Sequence, residues 1–100
     1  MEVRPLIEVV AQLNALPDEH FICVRRPWGQ RSDTVLVPYP EDLRIPVAIA
    51  EAGFAYYLEV STAREVLEGF LERSPSLQQI TDFLTFYAEH DAFAPWSYEV

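Results

Sequence analysis

Residues 54–90 read FAYYLEVSTAREVLEGFLERSPSLQQITDFLTFYAEH, and this stretch decides the fold. Its first part, residues 54–60, is mostly aromatic or apolar, which predicts a β-strand. Apolar side chains then recur at three- and four-residue spacing in two blocks, 62–73 and 76–90, and this period predicts two amphipathic helices. The stretch therefore predicts a strand that is followed by two helices.

Both helices begin with the same start signal. The patterns Thr62-Ala-Arg-Glu65 and Ser76-Leu-Gln-Gln79 each match a capping box, in which a hydroxyl and an acid or amide side chain three residues later cap the helix reciprocally. Ser74-Pro75 stops the first helix, because the residue before a proline disfavours the helical conformation. We expect the second helix to run to about residue 90.

Four further elements are predicted before this stretch. They are a helix over 5–16 with Pro5 in its first position, strands over 20–26 and 34–39, and a short helix over 46–52 closed by Gly53. The turn residues 27–30 join the two strands as a hairpin. Pro38 and Pro40 place the end of the second strand at a sheet edge, since proline cannot donate a ladder hydrogen bond.

One hundred residues form a single domain, 1–100, and the predicted order of elements is α-β-β-(α)-β-α-α. This order belongs to the α+β class, with a small antiparallel sheet of about three strands and helices packed on one face. The aromatic tail, residues 95–100, is predicted to add an edge strand or to fold back on the core.

Charge is the most informative property of the composition. Sixteen acidic residues face seven arginines, no lysine is present, and the net charge is −9. Residues 51–100 carry nine acids and two arginines, a net −7, whereas residues 1–50 carry seven acids and five arginines, a net −2. Such a chain is repelled by nucleic acid and by anionic membranes and is attracted to basic proteins.

Nothing in the sequence indicates catalysis, a cofactor or a metal. Cys23, the only cysteine, lies in the apolar run 21–24 and can form neither an intramolecular disulfide nor a Cys-based zinc site. His20, His90 and Asp91 lack the spacing of a metal site. There is no G-x-S-x-G pattern, and three glycines cannot form a phosphate-binding loop. We therefore expect a protein that is not an enzyme.

The start of the chain, residues 1–5, has no basic stretch followed by an apolar one, so no signal peptide is expected. No apolar run approaches the roughly 18 residues that cross a bilayer. A single cysteine agrees with a reducing compartment. These features predict a cytoplasmic location.

The predicted helices carry carboxylates on their outer faces. Spacings of three, four and seven residues place these acids on one side of each helix. Acidic side chains steer a basic partner towards a surface, and an aromatic side chain at the edge of the apolar arc can anchor it. The predicted protein-binding residues are Glu65, Glu68, Glu72, Asp82, Phe86, Glu89 and Asp91. The alternative is a solvated helix face that serves solubility.

A secondary candidate is the hairpin tip that contains Arg26, Trp28 and Arg31. Arginine and tryptophan are favoured at protein-binding hot spots. The same tip is the only basic patch that could bind nucleic acid, which the overall charge disfavours. The alternative is a solvated turn in which Trp28 covers the sheet edge.

Residues 83–93, FLTFYAEHDAF, resemble the end of a small bacterial domain whose final helix closes with a tyrosine and then an Asp-Ala-Phe triplet, here Tyr87 and Asp91-Ala92-Phe93. Domains of this size and acidity resemble the immunity proteins that neutralise bacterial toxins, including those of contact-dependent growth inhibition. The resemblance implies a cognate toxin domain as the partner and assigns no site residues. Many such toxins are nucleases, which are basic because their substrate is a polyanion.

Three other hypotheses stay open. A phage-encoded acidic inhibitor, of the anti-CRISPR or DNA-mimic type, would carry carboxylates over most of its surface. A self-associating structural domain would form a homodimer through the edge at 34–39 or through the aromatic tail. A small-molecule enzyme would need a polar pocket that these residues do not assemble.

Overall fold

The computed structural model describes residues 2–91 and confirms the α+β class. The elements are β1 (Arg4–Pro5), α1 (Leu6–Ala11), a 3₁₀ turn (Leu13–Ala15), β2 (His20–Arg25), β3 (Asp33–Pro38), α2 (Val47–Glu51), β4 (Phe54–Glu59), α3 (Val60–Leu71) and α4 (Leu77–His90). The strands form one antiparallel sheet in the order β1-β3-β2-β4. The predicted tail strand (95–100) and Ala92-Phe93 lie outside the described residues.

The sheet is covered on both faces, because successive side chains of a strand point to opposite sides. Ile22 and Val24 of β2 pack in one core cluster with residues of α1, α3 and α4. Cys23 lies in a second cluster on the other face, against Ile45 and Ile49 from the segment that contains α2. The prediction that the helices pack on one face of the sheet is therefore correct for α1, α3 and α4, whereas α2 lies on the opposite face. The apolar run in β2 has no polar side to expose, so both of its faces are buried.

A β-bulge in β4 places Tyr57 and Leu58 on the same face of the sheet. Ile22 pairs with Leu58 but Cys23 pairs with Tyr56, so Tyr57 is skipped in the register. With this extra residue in the strand, both Tyr57 and Leu58 join the core beneath the helices, and Tyr57 is 1 % exposed. Tyr57 thus brings a phenol hydroxyl from the sheet up to the helical layer, where it meets Thr85.

The predicted first helix begins one residue late and ends early. Pro5 is not in the helix: it is extended (φ −60°, ψ 144°) and pairs with Asp33 as part of β1. The first amides of α1 are satisfied by the β2–β3 turn, since Leu6 N and Ile7 N donate to the carbonyls of Ser32 and Gln30, both at 2.9 Å. The tertiary contact therefore fixes the start of α1, in the place of a side-chain cap.

Arg64 of α3 holds the chain that follows α1. Its guanidinium donates to the carbonyl of Leu13 (2.9 and 3.2 Å) and to that of Leu16, and it pairs with the carboxylate of Asp18. The predicted helix over 5–16 thus ends at Ala11 and is followed by a 3₁₀ turn. Arg64 binds carbonyl groups in and directly after this turn.

The two capping-box predictions have different outcomes. The box at α4 is confirmed: Ser76 Oγ accepts from Gln79 N at 3.1 Å, and Gln79 Oε1 accepts from Ser76 N at 2.8 Å. As predicted, α4 runs to His90. The prediction of a capping box at Thr62 is wrong, because α3 begins at Val60 directly after β4 and has no side-chain cap.

Candidate protein-binding surface

Two of the three carboxylates predicted on this helix lie on the outer face of α3, and the third, Glu72, is the residue directly after its end. Glu65, Glu68 and Glu72 are all exposed. Within residues 2–91, none of these carboxylates takes part in an ion pair or a hydrogen bond. The opposite side of the helix is buried and consists of Val60, Ala63, Val66 and Leu67. Within that part of the chain, no ion pair has to break before these carboxylates meet a partner.

The outer face of α4 carries two more carboxylates around a partly exposed aromatic ring. Asp82 and Glu89 are exposed, and Phe86 between them is half-buried. The Phe86 ring lies against the imidazole of His90, with ring centroids 4.2 Å apart, and Glu89 Oε2 is 3.9 Å from His90 Nε2. Asp91 is exposed and ends the helix in the left-handed conformation (φ 52°). The ring is thus flanked by carboxylates, as the spacing predicts.

The hairpin tip lies next to this face of α4. Gln30 Nε2 donates to Asp82 Oδ1 at 3.2 Å. One turn further along α4, Thr85 Oγ1 lies 2.8 Å from the hydroxyl of Tyr57, and the Tyr57 ring packs edge-on against Trp28 at 5.1 Å. The two surfaces predicted separately from the sequence are therefore neighbours. Gln30, Tyr57 and Thr85 carry no local sequence signal for this role, because the contacts join residues far apart in the chain.

Trp28 supports the hairpin tip from below. Its Nε1 donates to the carbonyl of Val24 at 3.0 Å, and the guanidinium of Arg26 lies over its ring, 3.9 Å from the centroid. Arg31 is exposed and makes no polar contact within the described part of the chain. The surface of the tip is therefore dominated by two guanidinium groups rather than by the indole.

Three other arginines are paired with carboxylates elsewhere in the fold. Arg4 pairs with Glu2 at 3.3 Å, Arg25 with Asp33 at 2.6 Å, and Arg64 with Asp18. All the carboxylates in these pairs come from the first half of the sequence. The excess negative charge of the second half is accordingly not neutralised by these arginines.

The thiol does not have the environment of a nucleophile. Cys23 is fully buried, and burial raises its pKa to about 11. The thiolate is the reactive form, so the thiol stays protonated and inert near neutral pH. Burial likewise raises the pKa of the Tyr57 phenol.

Residues 2–91 contain no group of three or more His, Cys, Asp or Glu side chains that could hold a metal ion. A shallow open groove of about 480 Å³ lies where residues 17–20 meet Pro38 and Tyr39. It holds His20 and two carboxylates, and one of these, Asp18, is paired with Arg64. No Ser, Thr or Cys is among its lining residues.

Comparisons with known proteins give no match: no protein-family model, curated protein or solved structure is detectably similar to the chain. In the part of the chain that the structure describes, no helix is long and apolar enough to span a membrane.

Proposed function

We propose that this protein is a non-catalytic inhibitor that binds a basic protein through the outer faces of α3 and α4. The partner we propose is a toxin domain, in the first instance a nuclease, which would make the protein an immunity protein. The observation that carries the proposal is the set of exposed carboxylates on α3 and at its C-terminal cap, Glu65, Glu68 and Glu72, which have no partner within residues 2–91.

Unpaired carboxylates suit a fast inhibitor. The arginine of α3, Arg64, is paired with Asp18 and not with these glutamates, so within residues 2–91 each new ion pair forms without breaking an existing one. The long-range attraction can raise association to about 10⁸ M⁻¹s⁻¹ at low salt. A nuclease is basic because it binds a polyanion, and an acidic face on its inhibitor is complementary to that site.

Phe86 supplies an apolar contact that the surrounding carboxylates cannot provide. Interfaces are held mainly by a few aromatic and arginine side chains surrounded by a polar rim. Phe86 is half-buried between two exposed carboxylates, Asp82 and Glu89. We assign it the role of anchor and the carboxylates the role of steering groups.

The hairpin tip favours a toxin-binding inhibitor over a protein that mimics DNA. A mimic of the phage-encoded type needs a continuous run of carboxylates, but Arg26 and Arg31 lie on the turn whose Gln30 contacts Asp82. Two guanidinium groups beside the acidic face interrupt such a run. A toxin domain with both basic and acidic side chains around its active site fits both parts of the surface.

One observation favours self-association as a second candidate. β3 pairs with β1 only at Asp33 and Thr34, so its outer edge from Val35 to Pro38 has no strand partner among the described residues. An open strand edge can pair with a second copy of the chain. Such a homodimer would survive high salt, whereas binding through α3 and α4 would not.

The decisive experiment captures the partner and compares two triple variants. The tagged protein is used to isolate partners from its host at low and high salt, and each basic protein recovered is tested as a purified domain for toxicity and for inhibition. The test variant is Glu65→Lys, Glu68→Lys, Glu72→Lys. The control is Glu8→Lys, Glu41→Lys, Glu51→Lys, which changes the net charge equally at exposed positions outside α3 and α4.

We expect the α3 variant to lose inhibition of the toxin domain by at least 100-fold while the control keeps it, because local charge and not net charge determines the contact. Equal losses in both variants, or inhibition that neither affects, would overturn the proposed surface. Recovery of only the protein itself, unchanged by salt, would favour the self-associating domain.

A further inference from the structure

We propose that residues 40–52, here called the strap, open locally and uncover the second face of the sheet while the helical layer stays folded. The strap follows β3, contains α2 and ends before β4. It lies on the opposite face of the sheet from α3 and α4, so this inference is independent of the proposed function and can fail separately.

The strap is attached by few apolar contacts. None of its thirteen residues is buried, and its helix α2 has no buried side chain. Leu43 and Val47 are 63 % and 70 % exposed. Only Ile45 and Ile49 pack, partly buried, against the cluster on this face of the sheet. Segments with so little buried apolar area open at a small fraction of the global free energy of unfolding.

The hydrogen bonds of the strap are almost all internal. Leu43 N donates to Pro40 O at 3.0 Å, and Ile49 N donates to Pro46 O at 3.0 Å. Within the described residues, the only side-chain hydrogen bond that joins the strap to the sheet runs from Arg25 Nη2 to Ala52 O, at 3.1 Å. The strap can therefore leave the sheet without breaking any strand ladder.

Arg25 attaches the end of the strap to the sheet through its hydrogen bond to Ala52. Its other nitrogen, Nη1, pairs with Asp33 at 2.6 Å, and its guanidinium lies over the Phe54 ring, 4.5 Å from the centroid. These contacts hold Arg25 in position for Ala52. Gly53, directly after the strap, has φ 94°, a conformation that glycine adopts without strain, and it provides the point at which the chain turns back into β4.

The sheet face beneath the strap contains Cys23, whose thiol can be used to measure strap opening. Its buried residues are Phe21, Cys23, Val35, Val37 and Phe54. Cys23 is the only cysteine and is fully buried. Ile45 and Ile49 of the strap pack against this cluster together with the neighbouring Tyr39, so we expect strap opening to give a thiol reagent access to Cys23 without global unfolding.

The test measures the rate at which Ellman's reagent labels Cys23 in the native protein over a series of low urea concentrations. We expect labelling at least tenfold faster than the global unfolding equilibrium permits, with a urea dependence well below that of global unfolding, because little surface is exposed. Labelling that follows global unfolding in both rate and urea dependence would overturn the proposal.

Four variants separate the strap from the rest of the fold. Arg25→Gln and Ile49→Ala should each raise the labelling rate about tenfold, since each removes one of the few attachments. Arg26→Gln, on the neighbouring arginine, should leave it unchanged. Val66→Ala weakens the helical core, and it should lower global stability without changing the labelling rate. If Val66→Ala accelerates labelling by the same factor as unfolding, the strap does not open on its own.

Discussion

The side-chain amide of Gln30 lies 3.2 Å from the carboxylate of Asp82, 52 positions away in the sequence. Gln30 sits in the β2–β3 turn, and its carbonyl also accepts the amide of Ile7 at 2.9 Å. The turn is therefore bound to α1 through its backbone and to α4 through its side chain. This contact makes the basic hairpin tip and the acidic face of α4 parts of one surface.

Gln30→Glu should test that contact directly. It places a second carboxylate beside Asp82, and we expect a loss of about 0.5–1 kcal/mol in the free energy of unfolding, the scale of exposed charge pairs. Adding Asp82→Asn should restore most of this loss, because the repulsion then disappears. Urea unfolding of both single variants and the double variant measures the coupling, and strictly additive changes would show that the two side chains do not meet.

Ser76→Ala and Thr62→Ala should have unequal effects, although both residues begin a capping-box pattern. Ser76 caps the amide of Gln79, and its loss should cost about 1 kcal/mol. Thr62 lies within α3, where the higher helix propensity of alanine offsets the loss of the long hydrogen bond from Thr62 Oγ1 to Glu59 Oε2 (3.3 Å). Its replacement should therefore change stability by less than about 0.5 kcal/mol. Denaturant unfolding of the two variants decides the matter, and equal costs would contradict the assigned start of α3.

The same pair of patterns shows what sequence can and cannot predict. Ser76 begins a helix after a loop, so its local signal acts without competition. Val60 is fully buried, and its packing together with the direct continuation from β4 starts α3 before Thr62 is reached. Tertiary burial outweighs a cap that contributes about 1 kcal/mol.

The candidate binding surface likewise has one part that the sequence predicts and another part that only the folded structure shows. Helical spacing is sufficient to place Glu65, Glu68 and Glu72 on one exposed side, because that depends only on residues within one helix. The bulge at Tyr57 and the contact of Gln30 with Asp82 depend on how distant elements pack. No local pattern encodes these contacts, so they could be found only in the folded structure.

Arg64→Lys should destabilise the protein more than its conservative character suggests. The guanidinium binds two carbonyls and the carboxylate of Asp18 at once, and a lysine ammonium cannot reproduce that fork. We expect a loss of about 1–3 kcal/mol, the scale of hydrogen bonds to a charged group. The matched control is Arg31→Lys, at an exposed arginine without polar contacts in residues 2–91, and a similar loss there would argue against this role for Arg64.

The buried thiol should make stability fall at alkaline pH. Burial raises the pKa of Cys23 from 9.0 to about 11, so between these values the unfolded chain loses the thiol proton and the folded chain keeps it. Unfolding then releases a proton, and stability decreases as pH rises from about 9, with no contribution from this group below that pH. The full decrease is about 2–3 kcal/mol, reached near pH 11, since each pKa unit corresponds to about 1.4 kcal/mol. Urea unfolding at pH 8 and at pH 11 measures it, with Cys23→Ala as the control that removes the thiol and leaves the tyrosines to titrate. The variant should lose less stability than the natural chain over this interval, and an identical loss in both would mean that the Cys23 thiol ionises without a burial cost.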